Sequence, residues 1–195
     1  MILADIPPHV TLIAMSKGSS LEAIASLAAK GQKDFGENYV QELIPKAIHM
    51  PELRWHFCGH LQRNKVTKAL PHLACLHTLG SMRLFEKLEK EVTRNLPVFI
   101  QVNPDREPQK SGLDPHDPEF LQLIKCVQSS QRLQFLGFMA IPAKGSLHAY
   151  DCMQALTQSY QCQALSLGMS EDRELALAHG ATHLRIGRAL FESTH

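Results

Sequence analysis

The chain has 195 residues, 44% hydrophobic and 20% charged, with 20 Lys and Arg against 19 Asp and Glu. That mix suits a soluble globular domain and excludes a disordered or collagen-like chain, and the formal charge of +1 argues against a nucleic-acid binder. The five cysteines form no C-x-x-C pair, no charged start leads into a long apolar core, and the apolar runs fall short of a membrane span. The expectation is a cytoplasmic protein with reduced thiols and no membrane contact.

Short apolar runs rich in β-branched residues alternate with longer helical segments from end to end, the pattern of β/α units on a parallel sheet. Residues 10–15 read as the first strand. A helix follows, bracketed by the N-cap pair Ser19-Ser20 and the stop at Gly31. Residues 33–36 form a second strand, followed by a helix to about His49 that breaks near Pro45. Residues 54–58 make the third strand, and a short helix over 62–70 ends at Pro71. The fourth strand is 74–78, and the charged helix over 81–94 carries Leu84, Phe85 and Leu88 on one face.

The fifth strand is 97–103, leading into a polar loop over 104–118 with four prolines, then a helix over 119–129. Residues 133–141 form the sixth strand, stopped by Pro142, and 147–163 a helix. The seventh strand is 164–168, a helix covers 171–179, and the eighth strand is 182–186. Eight such units predict a single (β/α)8 TIM-type barrel over residues 1–195, at the small end of the range for that fold; a doubly wound open sheet is the competing architecture.

Both architectures gather functional groups at the carboxyl ends of the strands. Lys17 follows strand one, where it is either a solvated charge or an amine able to attack a carbonyl. Asn38 follows strand two, as part of a turn or as a hydrogen-bond donor to a ligand. The run Trp55-His56-Phe57-Cys58-Gly59-His60 offers imidazoles and a thiol, but no second ligand pair at metal spacing. Strand alternation therefore assigns His56 and Cys58 to packing, no metal site is expected, and His60, Gln62 and Asn64 are placed at the mouth. The loop after strand five carries Lys110 and is a candidate lid. After strands seven and eight come Ser170, Gly187 and Arg188; backbone N–H groups there, with the Ser170 hydroxyl, can hold a phosphate, although Ser170 also suits a plain N-cap. A lysine after strand one and a phosphate cradle after strands seven and eight become neighbours when a barrel closes, and a phosphorylated aldehyde such as pyridoxal phosphate would satisfy both.

The ordered motifs Met15-Ser16-Lys17, Phe35-Gly36-Glu37-Asn38-Tyr39-Val40-Gln41-Glu42 and Trp55-His56-Phe57-Cys58-Gly59-His60-Leu61-Gln62 resemble one known family. So do Gln101-Val102-Asn103 with Lys110-Ser111-Gly112, Gly137-Phe138-Met139-Ala140-Ile141-Pro142, Leu165-Ser166-Leu167-Gly168-Met169-Ser170 and Arg185-Ile186-Gly187. The family is that of the YggS/PROSC-like pyridoxal-phosphate homeostasis proteins, related to the barrel domain of alanine racemase. The resemblance implies that Lys17 forms a Schiff base with pyridoxal phosphate, that Ser170 and the backbone at Gly187 and Arg188 bind its phosphate, that Arg185 faces the pyridine nitrogen, and that Asn38 lies near the ring.

The chain departs from the family pattern at Arg188, where a small hydroxyl residue is common, at its last residues, and in a shortened N-terminus that leaves little of the usual leading helix. The resemblance implies a monomeric, non-catalytic carrier that supplies pyridoxal phosphate to apoenzymes. The alternatives are a one-domain racemase or lyase using Lys17 as base, and a binding module for a phosphorylated sugar or nucleotide in which Lys17 is only a charge partner.

Overall fold

The computed structural model describes residues 6–191, which form a closed parallel barrel in the order β1 to β8. The strands are β1 (Thr11–Met15), β2 (Asp34–Glu37), β3 (Arg54–Phe57), β4 (Cys75–Leu79), β5 (Leu96–Val102), β6 (Leu133–Ala140), β7 (Ala164–Ser166) and β8 (His183–Ile186). Closure comes from β1 pairing with β8 over four residues, Thr11 opposite His183 through Ala14 opposite Ile186. That pairing eliminates the open-sheet alternative, in which β1 and β8 would not be joined.

Around the barrel run α1 (Leu21–Ala29), α2 (Val40–His49), α3 (Val66–Ala69), α4 (Met82–Glu91), α5 (Pro118–Ser129), α6 (Leu147–Ser159), α7 (Arg173–Ala178) and α8 (Arg188–Phe191). Side-chain oxygens of Ser20, Ser81, Asp117 and Ser146 accept first-turn N–H groups of α1, α4, α5 and α6, satisfying donors that a helix start leaves open. Alternation on each strand sends Phe35, Trp55, Phe57 and Leu76 outward into the layer beneath the helices. A smaller apolar cluster of Cys75, Phe99, Met139 and Ala164 forms apart from that layer.

The sequence expectations hold for the order of elements and for the buried face of α4, and need two corrections. α2 runs unbroken through Pro45, because Leu43 before it and Lys46 and Ala47 after it are all anchored against the barrel. Leu84 and Leu88 are buried in α4 and the half-buried Phe85 packs against the same core, as the shared face predicts. The sixth helix stops at Ser159, where the chain turns through Gln161 at a φ of 50° into β7. The shortened N-terminus and the departures at the last residues fall partly on residues 1–5 and 192–195, outside the described residues.

The turns after β2 and β3 touch backbone to backbone. A Cβ added at Gly59 would lie 1.9 Å from the Asn38 carbonyl oxygen, a clash that no side-chain movement relieves. Gly59→Ala is therefore expected to destabilise the fold by about 1–3 kcal/mol, read as a lower urea midpoint with an unchanged slope; an unaltered midpoint would show that the two turns separate freely.

Candidate functional site

The carboxyl ends of β1, β2, β7 and β8 surround a cleft of about 680 Å³. Lys17, Asn38, Ser170, Arg185 and Gly187 all line it, so five of the six site residues expected from sequence come together. Arg188, the sixth, begins α8 directly beyond Gly187, and its side chain is outside the described residues.

Each lining residue is held by its own local device. Lys17 is exposed on a turn closed by the Ser19 N–H donating to the Ser16 carbonyl at 2.9 Å, and its ammonium lies 5.4 Å from the Tyr39 ring centroid. Asn38 presents a buried Oδ1 that has no protein partner among the described residues. Ser170 is not the N-cap of α7: Asp172 occupies that position, accepting the Met169 N–H at 2.6 Å and the Tyr150 hydroxyl. The Ser170 hydroxyl is consequently left without a protein hydrogen bond among the described residues, at the cleft wall.

Arg185 is 4% exposed yet lines the cleft, and its guanidinium donates to Ser166 Oγ at 2.5 Å and to the Ala140 carbonyl at 2.8 Å. From Ser166 a chain of polar groups crosses the barrel interior: Ser166 Oγ to His77 Nδ1 at 2.9 Å, His77 Nε2 to His56 Nδ1 at 2.9 Å, and His56 Nε2 to Asp34 Oδ1 at 2.9 Å. Ser166 and His77 stand on β7 and β4, which are not neighbours in the sheet, so this bond passes through the inside of the barrel. Asp34 finally pairs with Arg54, whose side chain is 60% exposed.

Charge assignments follow from the surroundings. Burial pushes Asp34 up, but hydrogen bonds and charge from His56 and Arg54 outweigh it and hold the carboxyl below its usual range. His77 is driven well below the ordinary imidazole range by burial, reinforced by the charges of His56 and Arg185. His183 drops to about 4, again chiefly through burial. Ionised Asp34 and neutral His77 fit every link: Arg185 donates to Ser166, His56 donates to the Asp34 carboxylate, and His77 donates through one ring nitrogen and accepts at the other.

This chain went unseen in the sequence reading, which assigned His56 to packing. His56, Cys75 and His77 come within 4.8 Å of one another. Each ring nitrogen of both histidines already has a protein partner, and burial pushes the Cys75 thiol well above its usual value, so the trio is equipped for hydrogen bonding and poorly for metal ligation. Cys58, also assigned to packing, lines the cleft, with its thiol pushed up to about 12 by burial. His60, Lys110 and Ser111 line a smaller adjoining cleft of about 160 Å³, while Gln62 and Asn64 are exposed and line neither.

A TIM-type barrel with a lysine after its first strand and an arginine buried at the end of its eighth defines a class, and comparison with known proteins agrees with it. Residues 3–194 match the family model described as the alanine racemase N-terminal domain. The chain belongs to the pyridoxal phosphate homeostasis protein family: it is 37% identical to the Escherichia coli K12 protein of that name over 203 residues, covering 95% of this chain and 86% of that protein. The mouse protein of the same name is 34% identical over 212 residues, covering 92% of this chain and 75% of that protein. Among solved structures, PipY of Synechococcus elongatus PCC7942 with PLP bound superposes with a TM-score of 0.85 at 35% identity, covering 97% of this chain and 96% of that one.

The two suppressed histidines make stability pH-dependent in a defined direction. Their folded values lie below 6.5, so as pH falls through 6.5 the unfolded chain binds protons that the folded chain refuses. The contribution of these two histidines is complete above pH 6.5 and, as pH falls, is lost by up to about 1.4 kcal/mol per pH unit for each. The His183 share levels off near pH 4, and Asp34, held below the ordinary carboxylate range, adds its own loss only in more acid solution. Urea unfolding between pH 4.5 and 7.5 should show the stability difference between wild type and His77→Gln changing with a slope of roughly one proton below pH 6.5; a difference independent of pH would contradict it.

Proposed function

We propose that this chain is a non-catalytic pyridoxal phosphate-binding protein of PLP homeostasis, holding the cofactor in the cleft at the carboxyl end of the barrel. The observation that carries the reading is the cleft itself. An amine at Lys17 and a buried guanidinium at Arg185 share it with a hydroxyl at Ser170 and a buried amide oxygen at Asn38, both left without protein partners among the described residues. Those groups match a phosphorylated, aldehyde-bearing heteroaromatic ring in charge and hydrogen-bonding capacity, and about 680 Å³ is ample for it. When bound, pyridoxal phosphate supplies an aldehyde that a lysine amine attacks reversibly, with loss of water.

In this reading Lys17 supplies that amine. Ser170, with backbone N–H groups at Gly187 and Arg188, holds the phosphate, and Asn38 borders the ring. Arg185 faces the pyridine nitrogen, where a permanent cation disfavours protonation and makes the ring a weak electron sink. That bias disfavours reactions that need the ring as a strong electron sink, and the family is one of non-catalytic binders. The protein acts as a monomer in the cytoplasm and passes its cargo to apoenzymes; no helix among the described residues is long and apolar enough to cross a membrane.

The test is a titration of the purified protein with pyridoxal phosphate, followed by absorbance, borohydride reduction and peptide mass analysis. Wild type should fix one label, on Lys17, and Lys17→Ala should fix none there. Ser170→Ala should weaken binding roughly tenfold, the loss of one charge-assisted hydrogen bond. A wild-type protein that neither binds nor fixes the label would overturn the assignment, and steady turnover of amino acids by the loaded protein would overturn the non-catalytic part of it.

A further inference from the structure

The backbone that carries Lys17 is gripped from outside the barrel. Ser16, Lys17, Gly18 and Ser19 form a four-residue turn, and Gly18 at a φ of 71° gives it the left-handed third residue of a type II turn. Two polar backbone groups flank the lysine, the Ser16 carbonyl and the Gly18 N–H. Both are taken by side chains of α2. Lys46 Nζ donates to the Ser16 carbonyl at 2.8 Å, and Glu42 Oε2 accepts the Gly18 N–H at 2.8 Å.

Glu42 and Lys46 lie one helical turn apart and pair with each other at 3.0 Å. Lys46 gives its third proton to Glu37 Oε1 at 2.6 Å, the same oxygen that accepts Ser16 Oγ–H at 2.7 Å. An ammonium has three protons, and here all three are spent within the cluster. The side chain of Lys46 is only 10% exposed, and burying an ion pair is a poor way to gain stability. α2 already buries Val40, Leu43 and Ala47 against the barrel, so an apolar residue at position 46 would serve packing equally well. What an apolar residue cannot do is hold the carbonyl that precedes Lys17.

We propose that Glu42 and Lys46 are positioning residues for Lys17: as a pair they fix the backbone on both sides of it, so that its amine enters the cleft at one place. Neither lines the cleft, and both act through the turn. The inference rests on the reading that Lys17 is the residue that captures pyridoxal phosphate. It separates two quantities that a general loss of structure would lower together. Total binding depends mainly on the far wall, at Ser170 and Gly187, whereas covalent capture depends on where the amine sits.

The experiment compares Lys46→Met, Lys46→Arg and Glu42→Met with wild type, using pyridoxal phosphate as the probe. Total binding is measured by equilibrium dialysis, the capture rate by stopped-flow absorbance, and the borohydride-fixed fraction on Lys17 by peptide mass. Both methionine variants are expected to bind within threefold of wild type but to capture at least tenfold more slowly, with a smaller fixed fraction. Lys46→Arg, which keeps a cation and its donors, should recover part of that rate. Capture within twofold of wild type in folded Glu42→Met and Lys46→Met would overturn the proposal. Should Lys46→Met not fold, Glu42→Met decides alone, since the Glu42 side chain is 32% exposed and carries little packing. A wild-type protein that fixes its label elsewhere than on Lys17 would instead overturn the underlying reading, and the role of the pair with it.

Discussion

A full positive charge inside the barrel is the constraint to which the rest of the interior answers. Arg185 is 4% exposed, and a guanidinium taken out of water without partners would cost more than the fold can spare. The interior meets this with a hydrogen-bonded line from Arg185 through Ser166, His77 and His56 to the Asp34 carboxylate. Positive and negative ends thus lie apart, joined through Ser166, His77 and His56, with every ring nitrogen of the two histidines partnered. Removing one member strands its neighbours, because each has a single partner on either side. This is why β2, β3, β4, β7 and β8 must all keep register: each contributes one inward-facing member of the line.

The cleft sits where the barrel closes on itself. Four-residue pairing of β1 with β8 brings the first strand's lysine beside the last strand's glycine, although 170 positions of sequence separate Lys17 from Gly187. The near wall is therefore set by the Ser16–Ser19 turn and the far wall by the loops after β7 and β8, with the arginine rising from the floor between them. A strand end places Arg185 and the turn held by α2 places Lys17, while the loops supply hydroxyl and amide contacts.

Much of this was legible in the residues. Eight apolar runs with Gly, Pro or Ser at their edges gave the barrel, and reading the residue after each run located Lys17, Asn38, Ser170 and Gly187. The rest escaped for identifiable reasons. His56 and His77 occupy inward strand positions, where alternation marks a buried residue but not its partner, and that partner stands 89 residues away for His77 and Ser166. Lys46 lies on what reads as a broken helix, and nothing local signals that an amphipathic lysine is buried beneath a strand end. Proline at position 45 argued for the break, and anchoring on both sides of it overrode local preference.

The contact between Gly59 and the Asn38 carbonyl leaves the turns after β2 and β3 no room to drift relative to each other. A wall without slack cannot adapt by small backbone shifts, which is the usual route by which a binding site broadens its repertoire. Divergence toward a larger or differently substituted ligand is thus channelled. On this side it must proceed by exchanging the side chains at Asn38 or Cys58, and any gradual reshaping is left to the opposite rim, around Met169 and Ser170, where both residues are exposed.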